Sequence, residues 1–143
     1  MSDVGAGEMV TARAVAALKQ VSGLAVYDFP PVQAAAPYLV VETGPVSDWG
    51  YKEGVGRELR LALTLWDRGE RPTRLRDLTR AAQIKVEAIE GEGEGWDLVS
   101  LQFLRERSVP PRPPSPNGLA ATMVEYRARL LAVQPAGLVL DAL

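Results

Sequence analysis

At 143 residues with a formal net charge of -2, the chain has the size of one domain with one core and is too short for two comfortable ones. Its composition, 47% hydrophobic and 24% charged, excludes a disordered polymer, and no apolar run approaches the roughly 20 residues of a membrane-spanning helix. The lack of both cysteine and histidine removes disulfides, zinc fingers, thiol nucleophiles and every Ser-His or Cys-His dyad.

The N-terminal MSDVGAGEMV carries acids where a secretory signal has a basic region, so synthesis in the cytoplasm is expected. Over residues 8–21, Val10, Ala14, Ala17, Leu18 and Val21 recur at helical spacing, with Gly23 just past the end. The segment LAVYDFPPVQAAAP gives a short strand over 25–27 broken by Pro30 and Pro31, and YLVVETG a second over 38–43. Residues 44–57 form a loop with Trp49, Tyr51, Lys52 and the glycines Gly50, Gly54 and Gly56, longer than most connections. Leu59, Leu61, Leu63 and Leu65 then alternate with Arg60, Ala62, Thr64 and Trp66, the period of a half-buried strand with its leucines toward the core.

After DRGERP, the spacing of Leu75, Leu78, Ala82, Val86 and Ile89 predicts the longest helix over 73–90, opened by Pro72 and ended by GEGEG. Two strands follow: 96–107, with Val99, Leu101 and Phe103 on one face, and 121–133, with Val124, Tyr126, Ala128 and Leu130 on one face. Between them VPPRPPSPNG holds five prolines in ten residues, so a projecting loop in polyproline II conformation is expected over 105–118. The apolar end, residues 134–143, reads as a docking tail. The sum is a single α+β domain over 1–143.

Candidate sites are few. GEGEGW has no lysine to hold a phosphate and glutamates that would repel one, so it reads as a solvated turn. Asp97, Glu106 and Glu125 could meet on neighbouring strands, as a small metal-dependent enzyme would need, yet no motif joins them. A pI near 5.2 argues against a dedicated duplex-DNA binder, which would be basic. Charge is nonetheless segregated: residues 57–80 hold seven arginines against four acids, and residues 87–97 hold five acids and no base. Two readings stay open, a solvated face with weak local ion pairs or basic and acidic patches of adjacent copies meeting head-to-tail. For Trp49 and Tyr51 the readings are a ring folded back over the sheet edge or an interface anchor on a loop that glycines keep mobile. The candidate interface residues are Trp49, Tyr51, Lys52 and Arg57 in the loop and Arg68 and Arg71 after it. Glu92, Glu94 and Arg112 complete the set.

The phrases VYDFPP, PYLVVETG and DWGYKEGVGRELRLALTLWDRG, between an Ala-rich helix and a long helix with two closing strands, carry a resemblance. In them the chain resembles the tail-completion or tail-terminator family of long-tailed phages and gene transfer agents, over roughly residues 10–133. That resemblance implies an α+β fold: a largely antiparallel or mixed sheet of about four to five strands with two helices packed on one face. It also implies a sixfold homo-oligomeric ring that caps the tail tube. The implied partners are the major tail tube protein and the head-tail connector or adaptor protein, with DNA passing through the lumen without specific binding and no membrane contact. No enzyme activity, cofactor or metal is implied, and the expected location is the head-tail junction of the particle. The rival within the same class is a head-completion or adaptor protein. The proline-rich segment 109–116 and the tail 137–143 match no family phrase.

Overall fold

The leucine alternation decides the architecture. In the computed structural model, which describes residues 4–109 and 118–133, Leu59, Leu61, Leu63 and Leu65 line one side of strand β4 (Gly56–Arg68), none more than 2% exposed. Strand β7 (Leu119–Ala132) runs antiparallel beside it in full register, setting Leu59 opposite Ala128, Leu61 opposite Tyr126 and Leu63 opposite Val124. Both rows face the core as their period of two predicts. Burial of each large apolar side chain stabilises the fold by about 1.5–3 kcal/mol. The Tyr126 hydroxyl donates to Glu87 Oε2 at 2.7 Å, and burial together with that bond pushes its pKa up.

Around this pair the chain sets helix α1 (Ala6–Leu18), strands β1 (Ala25–Tyr27), β2 (Tyr38–Thr43) and β3 (Ser47–Asp48), helix α2 (Pro72–Glu87), and strands β5 (Gly91–Gly93) and β6 (Trp96–Val109). The sheet order is β1-β2-β4-β7-β6-β5, with β3 paired to β4; β1 and β2 are parallel and every other pairing is antiparallel. Met9, Val10, Ala14 and Leu18 of α1 and Leu75, Ala82 and Val86 of α2 join the leucine-side cluster, so both helices cover one face of a mixed sheet and touch each other. The α+β class holds, with seven strands where four to five are expected. The additions, β3 and β5, are two and three residues long without apolar alternation; backbone pairing to a long neighbour makes them strands.

Other boundaries shift for local reasons. α1 begins at Ala6, where the Glu8 carboxylate accepts the Gly5 N–H at 2.7 Å, and ends at Leu18, leaving Val21 buried in the following turn. α2 ends at Glu87, three residues early, because Ala88 and Ile89 donate to Lys85 and Val86 in a tightened last turn. GEGEG is a β-hairpin: Glu94 and Gly95 both sit at positive φ (55° and 87°) between β5 and β6, the turn geometry that matches strand twist. On β6 a bulge between Leu98 and Ser100 displaces Val99, so Leu98, at 3% exposure, fills the core position instead, while Leu101 and Phe103 stay opposite Ala128 and Tyr126. β6 continues to Val109, so residues 105–109 are strand and not loop. The expected polyproline segment 110–117 and the tail 134–143 lie outside the described residues.

Candidate functional site

The loop over 44–57 folds back on β4 as a second hairpin. Ser47 and Asp48 pair with Glu58 and Arg57, the Trp49 N–H donates to the Gly56 carbonyl at 3.0 Å, and Tyr51 and Gly54 bond to each other's backbone at 3.3 and 3.1 Å. The glycines serve close approach here rather than mobility. A Cβ on Gly54 would lie 2.3 Å from the Tyr51 ring, and one on Gly56 would lie 2.5 Å from the Trp49 carbonyl oxygen.

The two aromatic readings divide between the two residues. Trp49 is half-buried, with the Arg129 guanidinium 5.0 Å from its ring centroid, a cation–π contact across the sheet edge. Tyr51 stays 54% exposed at the hairpin tip, beside exposed Lys52. Arg57 points to the helix side: its guanidinium lies 6.0 Å from the Trp96 ring centroid and 3.6 Å from Asp48, while Trp96 Nε1 donates to the Val4 carbonyl at 2.9 Å. Arg57 and Trp96 line an open groove of about 880 Å³ along α1, together with Ala12, Val15, Ala16 and Val46.

The β5–β6 hairpin lies at this same end of the sheet. Trp96 pairs with Ala132 and Asp97 with Leu131, while Gly56 pairs with Leu131 from the other side. Arg13 of α1 donates to the carbonyls of Glu90 and Glu92, fixing the hairpin backbone and leaving the carboxylates of Glu92 and Glu94 without an ion pair among the described residues. Trp49, Tyr51, Lys52, Arg57, Glu92 and Glu94 therefore share one end.

Arg68 and Arg71 are at the other end, about 40 Å away along the 13 residues of β4. Arg68 sits 3.9 Å from Glu70 with both side chains exposed, and Arg71 is exposed at the α2 N-terminus. The Gly69 N–H donates to the Gly118 carbonyl at 2.8 Å at this end; Arg112 lies outside the described residues. The nine candidates do not make one site: eight described residues divide between two ends of one sheet.

The carboxylates weighed as a metal site are dispersed. Asp97 is opposite Leu131, six positions along β7 from Glu125, or about 20 Å. Glu106 pairs with Val124 on the helix side, whereas Glu125 is on the opposite face bonded to Arg105. No three acids converge among the described residues.

Sequence reading passed over one buried charge. Asp67 is fully buried and continues the leucine row of β4, accepting Arg74 Nε and Nη2 at 2.7 and 2.6 Å and the Arg68 N–H at 2.8 Å. The Arg74 hydrogen bonds hold its carboxyl below the usual carboxylate range against the opposing effect of burial. This clamp ties the start of α2 to the end of β4 next to Arg68 and Arg71. Its sequence signal was the break at Asp67 in an otherwise apolar alternation.

The sequence model of one protein family, described as "Tail completion protein gp17", matches residues 10–131. Among solved structures, a chain of the "Virion of native gene transfer agent (GTA) particle" superposes with a TM-score of 0.58 at 24% identity, covering 85% of this chain and 94% of that one. At that identity the likeness is one of fold. No curated protein matches.

Proposed function

This chain belongs to the tail-completion protein family, and on that premise we propose that it is a structural tail terminator, closing with its own copies into a sixfold ring that caps a tail tube. In this reading the ring joins the tube to the head connector of a phage or gene transfer agent particle. The major tail tube protein meets one side and the connector or adaptor protein the other, and DNA passes through the lumen without specific binding.

The observation that carries the reading is the division of the interaction-prone residues between two ends of one rigid sheet. A body inserted between two unlike partners needs two separated surfaces held at a fixed distance. Here one continuous β4–β7 ladder holds them apart. The exposed Tyr51 and Lys52 at the hairpin tip are suited to anchor a neighbouring copy or the tube. Arg68 and Arg71 with the Arg112 segment serve the opposite partner. The function needs shape and assembly but no catalyst, and acts in the particle at the head-tail junction after synthesis in the cytoplasm.

Immobilised tube protein tests the assignment. A terminator is retained by it and ends tube growth, giving short tubes of fixed length. A head-completion or adaptor protein ignores the tube and binds the connector only.

A further inference from the structure

The face of the sheet turned away from the helices carries an unresolved clash of charge. β4, β6 and β7 present six arginines there, Arg60, Arg68, Arg105, Arg107, Arg127 and Arg129. Three have an acidic partner within the molecule: Arg129 Nε donates to Glu58 at 2.7 Å, Arg105 pairs with Glu125, and Arg68 lies 3.9 Å from Glu70. Arg60, Arg107 and Arg127 form no ion pair among the described residues. Arg107 faces Met123, whereas Arg60 and Arg127 stand directly opposite each other in the β4–β7 register, and like charges in that relation disfavour the pairing.

Their surroundings deepen the deficit. Arg127 spends one terminal nitrogen on the Gln102 side chain, and its Nε is shut off from water with no acceptor among the described residues, a costly state for a polar group. On its other flank Arg60 bonds through its carbonyl to Gly44, where no side chain exists to cover the guanidinium. The nearest acid on β2, Glu42, is diagonal, opposite Ala62, and forms no ion pair among the described residues. A sequence that keeps two such residues opposed, while pairing their neighbours, leaves a place for acceptors from outside.

Acceptors of the matching kind stand on the same molecule. Glu92 and Glu94 sit on the β5–β6 hairpin at the sheet edge, carboxylates unpaired, on a backbone fixed by Arg13 and by the turn at Glu94 and Gly95. They cannot reach Arg60 and Arg127 of their own sheet: Glu92 is level with Asp97 and Leu131, four positions along β7 from Arg127, or about 13 Å. A rigid turn loses little conformational freedom on docking. An edge that fits a face is a head-to-tail contact, the kind that generates rings when the rotation closes.

From this we infer that the open sheet face, through Arg60 and Arg127, receives the acidic β5–β6 turn, Glu92 and Glu94, of a second copy of this chain. The inference rests on the self-assembly reading above and adds the surfaces that meet. A nucleic-acid backbone fits the same face less well. Its phosphates extend over many residues and would also meet Glu58, Glu125 and Glu42, whereas two carboxylates on a tight turn match two opposed guanidinia in number and spread.

The test is a charge exchange in the full chain, read as oligomer population by native mass spectrometry at low salt, with thermal melting as the control for folding. Arg60→Glu with Arg127→Glu, and separately Glu92→Arg with Glu94→Arg, each weaken self-association about tenfold or more. The exposed single variant Arg60→Glu moves in the same direction should the half-buried Arg127 site disturb folding. Mixing the two double variants restores association, since each then meets the opposite charge on its neighbour, and the restored rings contain the two in equal numbers. Wild-type chains that associate while the folded variants do so equally well overturn the inference and leave the ring reading standing. Variants that associate normally but lose salt-sensitive retention on duplex DNA overturn it in favour of a polyanion site. Wild-type chains that never associate, alone or with tube protein, remove the ring reading and this inference together.

Discussion

The two faces of β4 and β7 follow opposite rules over the same residues. Toward the helices the row reads Leu59, Leu61, Leu63 and Leu65 against Ala128, Tyr126, Val124 and Thr122, all buried. Away from them it reads Glu58, Arg60, Ala62 and Thr64 against Arg129, Arg127, Glu125 and Met123, all at least partly wet. One face carries stability and the other is free to carry recognition. Because the faces alternate residue by residue, a change on one should leave the other almost untouched.

The largest break in that comparison comes from the inner face. Leu61→Ala opens a cavity against Tyr126 and is expected to cost about 2–5 kcal/mol, read from chemical denaturation. A loss under about 1 kcal/mol would mean that the core closes over the gap.

Asp67 comes next, an inner-face position occupied by a charge. Asp67→Asn keeps the shape but withdraws an anion from Arg74 and is expected to lower the melting temperature by roughly 5 °C or more. The pH dependence has a definite sign. The folded carboxyl titrates below its ordinary value of 3.8, so its contribution is present above that pH and is lost as acid carries the protein down toward the folded pKa. Wild type therefore loses stability more steeply below about pH 4 than Asp67→Asn. Parallel acid curves for the two proteins would contradict the clamp.

Trp49→Ala with Tyr51→Ala sharpens the comparison at the hairpin. The double variant loses the Arg129 contact with Trp49, worth about 0.5–1 kcal/mol at an exposed site. It keeps the fold, and its assembly weakens. Assembly at the wild-type level would remove the hairpin from the interface. The smallest effect belongs to the open face: replacing the Glu58 and Arg129 pair by two glutamines is expected to change stability by less than about 1 kcal/mol.

Period was legible in the sequence and pairing was not. The alternation at Leu59 to Leu65 and at Val124 to Leu130 placed two core strands and their inner faces, and the spacing of Leu75, Ala82 and Val86 placed α2, because each pattern is local. β3 and β5 left no such pattern, since two- and three-residue strands of Ser-Asp and Gly-Glu-Gly exist only through hydrogen bonds to a long partner. The bulge at Val99 escaped for the same reason. At the candidate site the sequence left Trp49 and Tyr51 open between a folded-back ring and an exposed anchor, because the retreat of Trp49 beneath Arg129 depended on a residue 80 positions later. The division of the interface residues between two ends followed from register alone. So did the opposition of Arg60 and Arg127, two arginines unremarkable in their own segments.

The central claim is that this protein works by closing with its own copies around the end of a tube. Electron microscopy of the purified protein mixed with tail tube protein tests it most directly. The account predicts a closed sixfold annulus seated on the tube end, beyond which no further tube subunits add. A protein that stays monomeric at every concentration and salt with tube protein present, beside tubes that keep growing, would contradict it.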